Sequence, residues 1–386
     1  MRYKSGIIPI NFVFSRLHKE NHKMFSKSRR IIESIEMGTL KEMCLDILSR
    51  TGDNNLLKIS FFHHAACDSE YLAILNTLCT TVKEFFPCDT PLVSYIAQGT
   101  ERDMLVAEVT YLTDTGCDIQ RHDNYILLTR EGCKEIMTGG IVPHDIAATA
   151  YEQSTEIFAI IGKILASNGF AVNDIYRQWN YIQYITAQND GSQNYQEFND
   201  ARSIFYSSCD WPRGYPAATG IGTSAGGVMV ELCAISGKGI SSKPIDNPLQ
   251  IAAHSYSQNV LDGKVIETLT ERTTPKFERA RLLGNTIYIS GTAAIKGEES
   301  NSSTCAAEQT AETMEIMDRL VSKENIPAVN NGARYNTLRV YVKRASDIAA
   351  VKEFMEEHYP VADKHYLIAD ICRPELLVEI EGIAHI

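Results

Sequence analysis

The sequence predicts an α+β protein built from two copies of one unit in tandem. Three observations carry this. Two amphipathic helices hold a glutamine at matching places, Gln153 and Gln309. Each helix is followed by a short strand, a second helix and a closing strand. The closing strands each hold a glutamate, Glu231 in Val228-Met-Val-Glu-Leu and Glu379 in Val378-Glu-Ile-Glu-Gly, and the two read as matching positions. Each copy is about the length of a small domain.

The elements follow from periodicity. In Tyr151–Leu165, Ile157, Ile161 and Ile164 recur at helical spacing, with Phe158 and Leu165 beside them. Ala306–Val321 repeats the pattern with Met314, Met317 and Val321. Arg177–Ile182 and Leu338–Val342 read as the short strands, and 195–206 and 345–359 as the second helices. Upstream, Leu56–His63 is an apolar run bounded by Asp53-Asn-Asn, hence a strand. Ser69–Phe86 has helical spacing and is ended by Pro87 and Pro91. Leu92–Gln98, Leu105–Leu112 and Tyr125–Thr129 read as further strands, and Gly284-Asn285 as a hairpin turn. Ser236–Pro248 is rich in Gly, Ser and Pro and reads as a linker. The expected division is an extension with a leading helix at 1–49, a first unit at 50–237, a linker at 238–272 and a second unit at 273–386.

Composition narrows the function. The 386 residues carry a formal net charge of −11. That balance argues against a nucleic-acid partner, which needs a basic surface to neutralise phosphates. It leaves room for a basic pocket holding a small anionic metabolite. No run is long enough to span a membrane, and the basic flank of Gly6–Phe14 lies on the wrong side for a secretory signal. Ten scattered cysteines without a CxxC pair fit reduced thiols in a cytoplasm. His63 and His64 point to opposite faces of a strand and read as structural, not as metal ligands. Gly220-Ile-Gly-Thr-Ser-Ala-Gly-Gly227 has near-dinucleotide spacing, but a strand follows it where a helix would be needed, so it reads as a turn.

The stretch Leu376–Ile383 alternates. Leu377, Glu379 and Glu381 share one side; Leu376, Val378 and Ile380 share the other. Two readings of Glu379 follow: a solvated carboxylate on an edge strand, or a pocket carboxyl whose burial raises its pKa into the range of a general acid.

The order of several short segments resembles the RidA/YjgF superfamily. In the second unit these are Arg281-Leu-Leu-Gly-Asn-Thr-Ile-Tyr-Ile-Ser-Gly-Thr292, the helix with Gln309, Leu338–Val342 and Val378–Ala384. In the first they are Arg177–Ile182, Phe198–Arg202 and Pro216–Gly222. The tandem arrangement is similar to the chorismatases through Asn247-Pro248, Thr274-Pro-Lys-Phe-Glu-Arg279, Ser290-Gly-Thr-Ala-Ala-Ile295 and Cys372-Arg373. The resemblance implies units that are each a mixed sheet with two helices on one face. It implies cleavage of the enol-pyruvyl ether of chorismate, or of a related cyclic carboxylate, to pyruvate and a hydroxybenzoate-type product without a cofactor or metal. Glu379 is then the general acid and Cys372 its catalytic neighbour. Arg177, Arg202, Arg279 and Arg339 become candidates for holding carboxylates, and Tyr215, Thr219, Gly291 and Thr292 further contacts. The superfamily also implies a homotrimer, or a monomer that mimics part of one. The alternative is a RidA-like protein that binds a small acid without turnover, or a deaminase. Neither Pro216-Ala-Ala nor Val361-Ala-Asp keeps the arginine of the Pro-Ala-Arg deaminase signature.

Overall fold

The computed structural model describes residues 25, 27–35, 40–52, 55–113, 116–130, 132–240, 242–267, 269–327 and 332–386. The expected apolar run Gly6–Phe14 lies outside them. The described residues form three main sheets, not two, beside two short two-stranded ribbons. In order, the elements of the first are β1 (Lys27–Ile35), α1 (Leu40–Thr51), β2 (Asn55–His63), α2 (Asp68–Phe85), β3 (Leu92–Ala97) and β4 (Leu105–Leu112). The second has β5 (Asp118–Arg121), β6 (Tyr125–Arg130), β7 (Cys133–Thr138), α3 (Ala150–Ser167), β8 (Ile175–Gln183), α4 (Asn194–Tyr206), β9 (Ala217–Thr223) and β10 (Val228–Gly237). The third has β11 (Lys243–Ile245), β12 (Ala280–Leu283), β13 (Thr286–Ala293), α5 (Ala306–Leu320), β14 (Arg334–Val342), α6 (Ile348–His358), β15 (Asp363–Ile368) and β16 (Val378–His385).

The strand orders are β1-β4-β2-β3, then β9-β8-β10-β7-β6-β5, then β11-β12-β13-β16-β14-β15 with Gly99–Thr100 added at the far edge. These are one topology repeated three times. In each, a middle strand pairs in parallel with the strand after its following helix (β2 with β3, β8 with β9, β14 with β15) and antiparallel with the closing strand (β4, β10, β16). The α+β class and the mixed sheets with two helices on one face are therefore as expected. The grouping is not. Residues 55–112, expected in one unit with 118–237, pair instead with β1 inside the stretch expected to be an extension. β11 belongs to the third sheet, so the expected linker is part strand and part a long strap, residues 246–277.

Local chemistry explains the repeat. Gln153 and Gln309 are buried at the starts of α3 and α5 and do the same work. The Gln153 amide nitrogen donates to the carbonyls of Ile146 and Ala148, and its oxygen accepts from Val228 N at 2.8 Å. The Gln309 amide nitrogen donates to the carbonyls of Ser303 and Glu375, and its oxygen accepts from Leu377 N at 2.8 Å. Each glutamine thus ties a helix start to the entry of a closing strand, satisfying backbone groups no ladder reaches. Thr149 and Glu152 add a reciprocal capping box to α3. The first half of the glycine-rich segment, 220–223, is the end of β9; only 224–227 forms the turn to β10, with Gly226 and Gly227 at positive φ.

Each sheet buries one face under its own helices. Ile157, Phe158, Ile161 and Phe198 do so in the second, Met314, Met317, Val351 and Met355 in the third, and Met43, Ile47, Leu78 and Val82 in the first. The opposite faces meet at the centre of the molecule, where Phe62, Trp179, Tyr181 and Tyr341 pack together. None of the ten cysteines is in a disulfide. His63 Nδ1 lies 2.7 Å from its neighbour's carbonyl oxygen, and no metal-ligand cluster occurs among the described residues. No described helix is long and apolar enough to cross a membrane.

Candidate active site

Register places three glutamates at one position of the three closing strands. Glu108 lies opposite Ser60, Glu231 opposite Trp179 and Glu381 opposite Arg339. The partner of Glu231 in the repeat is thus Glu381, not Glu379 as the sequence suggested; a shift of two residues keeps the same face and hides in a period-two pattern. These glutamates close a buried ring around the centre. Lys58 of the first unit pairs with Glu231 of the second at 2.6 Å. Arg177 of the second pairs with Glu381 of the third. Arg339 of the third pairs with both oxygens of Glu108 of the first, at 2.8 and 2.9 Å. Trp179, Tyr341 and Arg339 also donate to Glu381. Burial alone would push the Glu381 carboxyl up, but Arg177, Arg339, Thr219 and Tyr341 outweigh it and hold the group below the ordinary carboxylate range.

Two residues back along each closing strand, the units diverge. The position holds Val106, Met229 and Glu379. Opposite stands a residue without a side chain: Gly140 where Met229 sits and Gly291 where Glu379 sits. A Cβ on Gly140 would overlap the Met229 sulfur, and one on Gly291 would overlap Glu379 Oε1. Each glycine N–H reaches across to a hydroxyl on the neighbouring unit, Gly140 to Ser94 at 3.0 Å and Gly291 to Thr219 at 3.1 Å. One residue beyond those hydroxyls come Tyr95 and Gly220. Tyr95 is buried and stacks on Tyr71. Gly220 is bare, and a side chain there would strike the Tyr195 ring. Between the first and second units the space is filled by Tyr95, Tyr71 and Met229. Between the second and third it is open.

The opening is a cavity of about 790 Å³. Its walls come from α4 (Tyr195, Asn199, Arg202), from Ala218 and Gly220 of β9, from Gly291 and Ala293 of β13, and from Cys372, Arg373 and Glu379. The strap closes one side with Tyr256, Leu261, Pro275 and Phe277. Glu379 is 4% exposed and projects into this space. Burial, then the Glu381 charge, push its pKa up to about 8 against the partial opposition of Arg177. It is the pocket carboxyl, not a solvated edge residue.

Cations face it. Arg202 is 1% exposed, donates to Asn199 Oδ1, and keeps an Nε with no partner among the described residues. Arg279 donates to the carbonyl of Ile251 and to the Tyr256 hydroxyl, and its Nε is likewise unpartnered. Arg373 lies over the Tyr256 ring, held by the Glu298 carbonyl and Ser300. Cys372 shares the wall; burial, then the Glu379 charge, push its thiol up to about 12.

The structure therefore gathers Glu379, Cys372, Arg202, Arg279 and Gly291 around one cavity. It places others elsewhere. Arg177 and Arg339 are spent in the central ring and do not line the cavity. Thr219 lies behind Gly291. Thr292 donates back to the Ser290 carbonyl. Tyr215 stacks among Tyr206, Trp211 and His254. Tyr195, Asn199, Tyr256 and Arg373 also line the cavity but were not among the candidate contacts; Arg373 entered only as part of the Cys372-Arg373 segment that carries the resemblance.

The family model for the N-terminal part of FkbO/Hyg5-like chorismatases matches residues 116–234. A chorismatase of Streptomyces hygroscopicus is 30% identical over 258 residues, covering 63% of this chain and 70% of that protein. The chain belongs to the chorismatase family. A 3-hydroxybenzoate synthase of the same species is 31% identical over 223 residues, covering 55% of this chain and 64% of the relative's length. The crystal structure of a chorismatase superposes on 93% of this chain and 98% of its own, with a TM-score of 0.71 at 22% identity, and so shares the fold.

The site's geometry gives two expected results. Gly291→Ala should drive the Glu379 carboxyl from its place and, with that carboxyl as the proton donor proposed below, lower turnover by at least about tenfold, because misplacing a reacting group by an ångström is that costly; steady-state kinetics reads it. The Cys372 thiol should resist iodoacetamide at pH 8 while the exposed Cys67 and Cys88 alkylate, as peptide mass spectrometry would show.

Proposed function

We propose that this chain cleaves the enol-pyruvyl ether of chorismate, or of a closely related cyclic dicarboxylate, releasing pyruvate and a hydroxybenzoate-type acid. The observation that carries the proposal is Glu379: a carboxyl with its pKa raised to about 8, in a cavity whose other charged walls include three guanidinium groups. Ether cleavage begins with a proton delivered to the terminal enol carbon. A neutral carboxylic acid at neutral pH supplies it. The ether carbon then becomes an oxocarbenium ion, the bond from the ring carbon to the ether oxygen breaks as its electron pair forms the pyruvate carbonyl, and the ring cation loses a proton. Forming the hydroxybenzoate consumes no net water: the ring loses pyruvate and becomes aromatic.

The arginines answer the substrate's two carboxylates. Arg202 and Arg279 approach from different units, each with a spare N–H. A buried guanidinium with an unused donor is costly to keep unless an anion completes it. Cys372 contributes a compact, protonated wall beside the acid. The 3-hydroxybenzoate synthase and the chorismatases among the relatives support this reading by name.

The test is to incubate the protein with chorismate and follow pyruvate with lactate dehydrogenase, identifying the aromatic product by chromatography. Release of pyruvate with a hydroxybenzoate supports the proposal. A ligand-induced rise in melting temperature without pyruvate would replace it with the non-catalytic binding reading.

A further inference from the structure

The Thr219 hydroxyl was expected to touch a ligand. Instead it is used up inside the protein. It accepts from Gly291 N at 3.1 Å and from Arg177 Nη2 at 2.8 Å, and it donates to Glu381 Oε2. Those are all the hydrogen bonds a hydroxyl can make. Thr219 is 1% exposed, and its methyl carbon would lie 3.0 Å from a Cβ on Gly291. A continuous chain therefore runs from the central ring to the acid: Arg177 and Glu381 fix the hydroxyl, the hydroxyl fixes the Gly291 backbone, and Gly291 is the surface against which the Glu379 carboxyl rests. The Glu379 carboxyl, unlike its backbone, makes no hydrogen bond among the described residues, so contact and field are what hold it.

We infer that Thr219 and Glu381 are positioning residues for Glu379: Thr219 sets where the acid sits, and Glu381, permanently ionised, keeps it protonated. This rests on the reading of Glu379 as the proton donor. The two glutamates project from the same face of β16, two residues apart. Glu381 is satisfied by Arg177, Arg339, Thr219, Trp179 and Tyr341, and so stays an anion while its neighbour titrates. The other groups with an electrostatic hand on Glu379 are Arg177 from β8, Tyr195 from α4 and Cys372 from the segment before β16; Arg202, Arg279 and Arg373 line the same cavity. The unit interface without an acid shows the same frame unused: Ser94 holds Gly140, and Met229 rests on it.

The experiment compares Thr219→Val, Thr219→Ser and Glu381→Gln in the full chain. Thr219→Val keeps shape and removes all three hydrogen bonds; kcat should fall about tenfold or more with KM changed less than about threefold. Thr219→Ser keeps the hydroxyl and should recover most of kcat. Glu381→Gln should move the alkaline limb of the kcat–pH profile to lower pH, and the same downward shift should appear in the Glu379 side-chain carboxyl signal followed by ¹³C NMR. The NMR titration needs no turnover, so it tests the coupling even if chorismate is not the substrate. Thr219→Val with wild-type kcat, or Thr219→Ser no better than Thr219→Val, overturns the role of Thr219. An unmoved Glu379 titration in folded Glu381→Gln overturns that of Glu381. If Glu381→Gln does not fold, Glu381→Asp, which draws the charge back by one methylene, is titrated in its place: a moved Glu379 midpoint supports the coupling and an unmoved one overturns it.

Discussion

Glu379→Gln should remove pyruvate formation to at least a hundredfold below wild type, the usual minimum for losing a positioned general acid. The amide fills the same space but has no acidic proton to give. The wild-type rate should hold through neutrality and fall as pH passes about 8, because the raised pKa leaves the acid protonated until then. The same substitution should change stability in a pH-dependent sense. Folded, the group titrates at about 8; free in the unfolded chain, near the ordinary glutamate value of 4.5. A folded pKa above the unfolded one means the folded state holds a proton the unfolded state has lost. The resulting stabilisation is complete below about pH 4.5, shrinks as pH rises, and is gone above about 8. Thermal melts should show wild type losing ground to Glu379→Gln steadily from pH 5 to 9. A variant that retains full activity, or parallel melting curves across that range, would remove Glu379 from the acid's role.

Arg339→Met should produce the largest loss of stability of any single change here. Arg339 alone bridges Glu108 and Glu381, all three nearly fully buried. Burial tends to deprotonate Arg339, but Glu108 and its other partners outweigh it and hold the guanidinium protonated well beyond the ordinary range. Deleting it removes from the buried Glu108 carboxylate both of its hydrogen bonds to a guanidinium. Breaking a buried pair by removing one member costs about 3–5 kcal/mol, a large part of what a typical domain has. Chemical denaturation should read this as a fall in midpoint, and a double variant that also carries Glu108→Leu should recover part of it. If Arg339→Met matches wild type, the central ring is not a structural element.

The helices and most strands were legible because their signals are local. Ile157, Ile161 and Ile164 mark a helix in any context, and Gln153 and Gln309 mark the repeat because both make the same bonds. The third copy was hidden. Its leading strand, Lys-Ser-Arg-Arg-Ile-Ile-Glu-Ser-Ile, mixes charge with apolar residues, and the stretch Leu40–Thr51 carries no glutamine to betray the homology. The acid was legible from parity, since only Leu377, Glu379 and Glu381 share a face; which of the two glutamates is free and which is bound was not. That depends on Arg177 and Arg339, whose partners lie in other units, 204 and 231 residues away. An arginine that neutralises a distant carboxylate and one that awaits a ligand look the same until the chain is folded.

The closing strand β16 lies in the interior of its sheet, between β13 and β14, and its Glu381 completes the central ring. The cavity therefore cannot form piecemeal on the ribosome. A nascent chain that has exposed Arg177, Arg202 and Arg279 still lacks both the acid and the anion that fixes it, until residues 378–385 leave the exit tunnel. A chain cut before residue 378 lacks both the cavity carboxyl of Glu379 and the Glu381 carboxylate that pairs with Arg177 and Arg339.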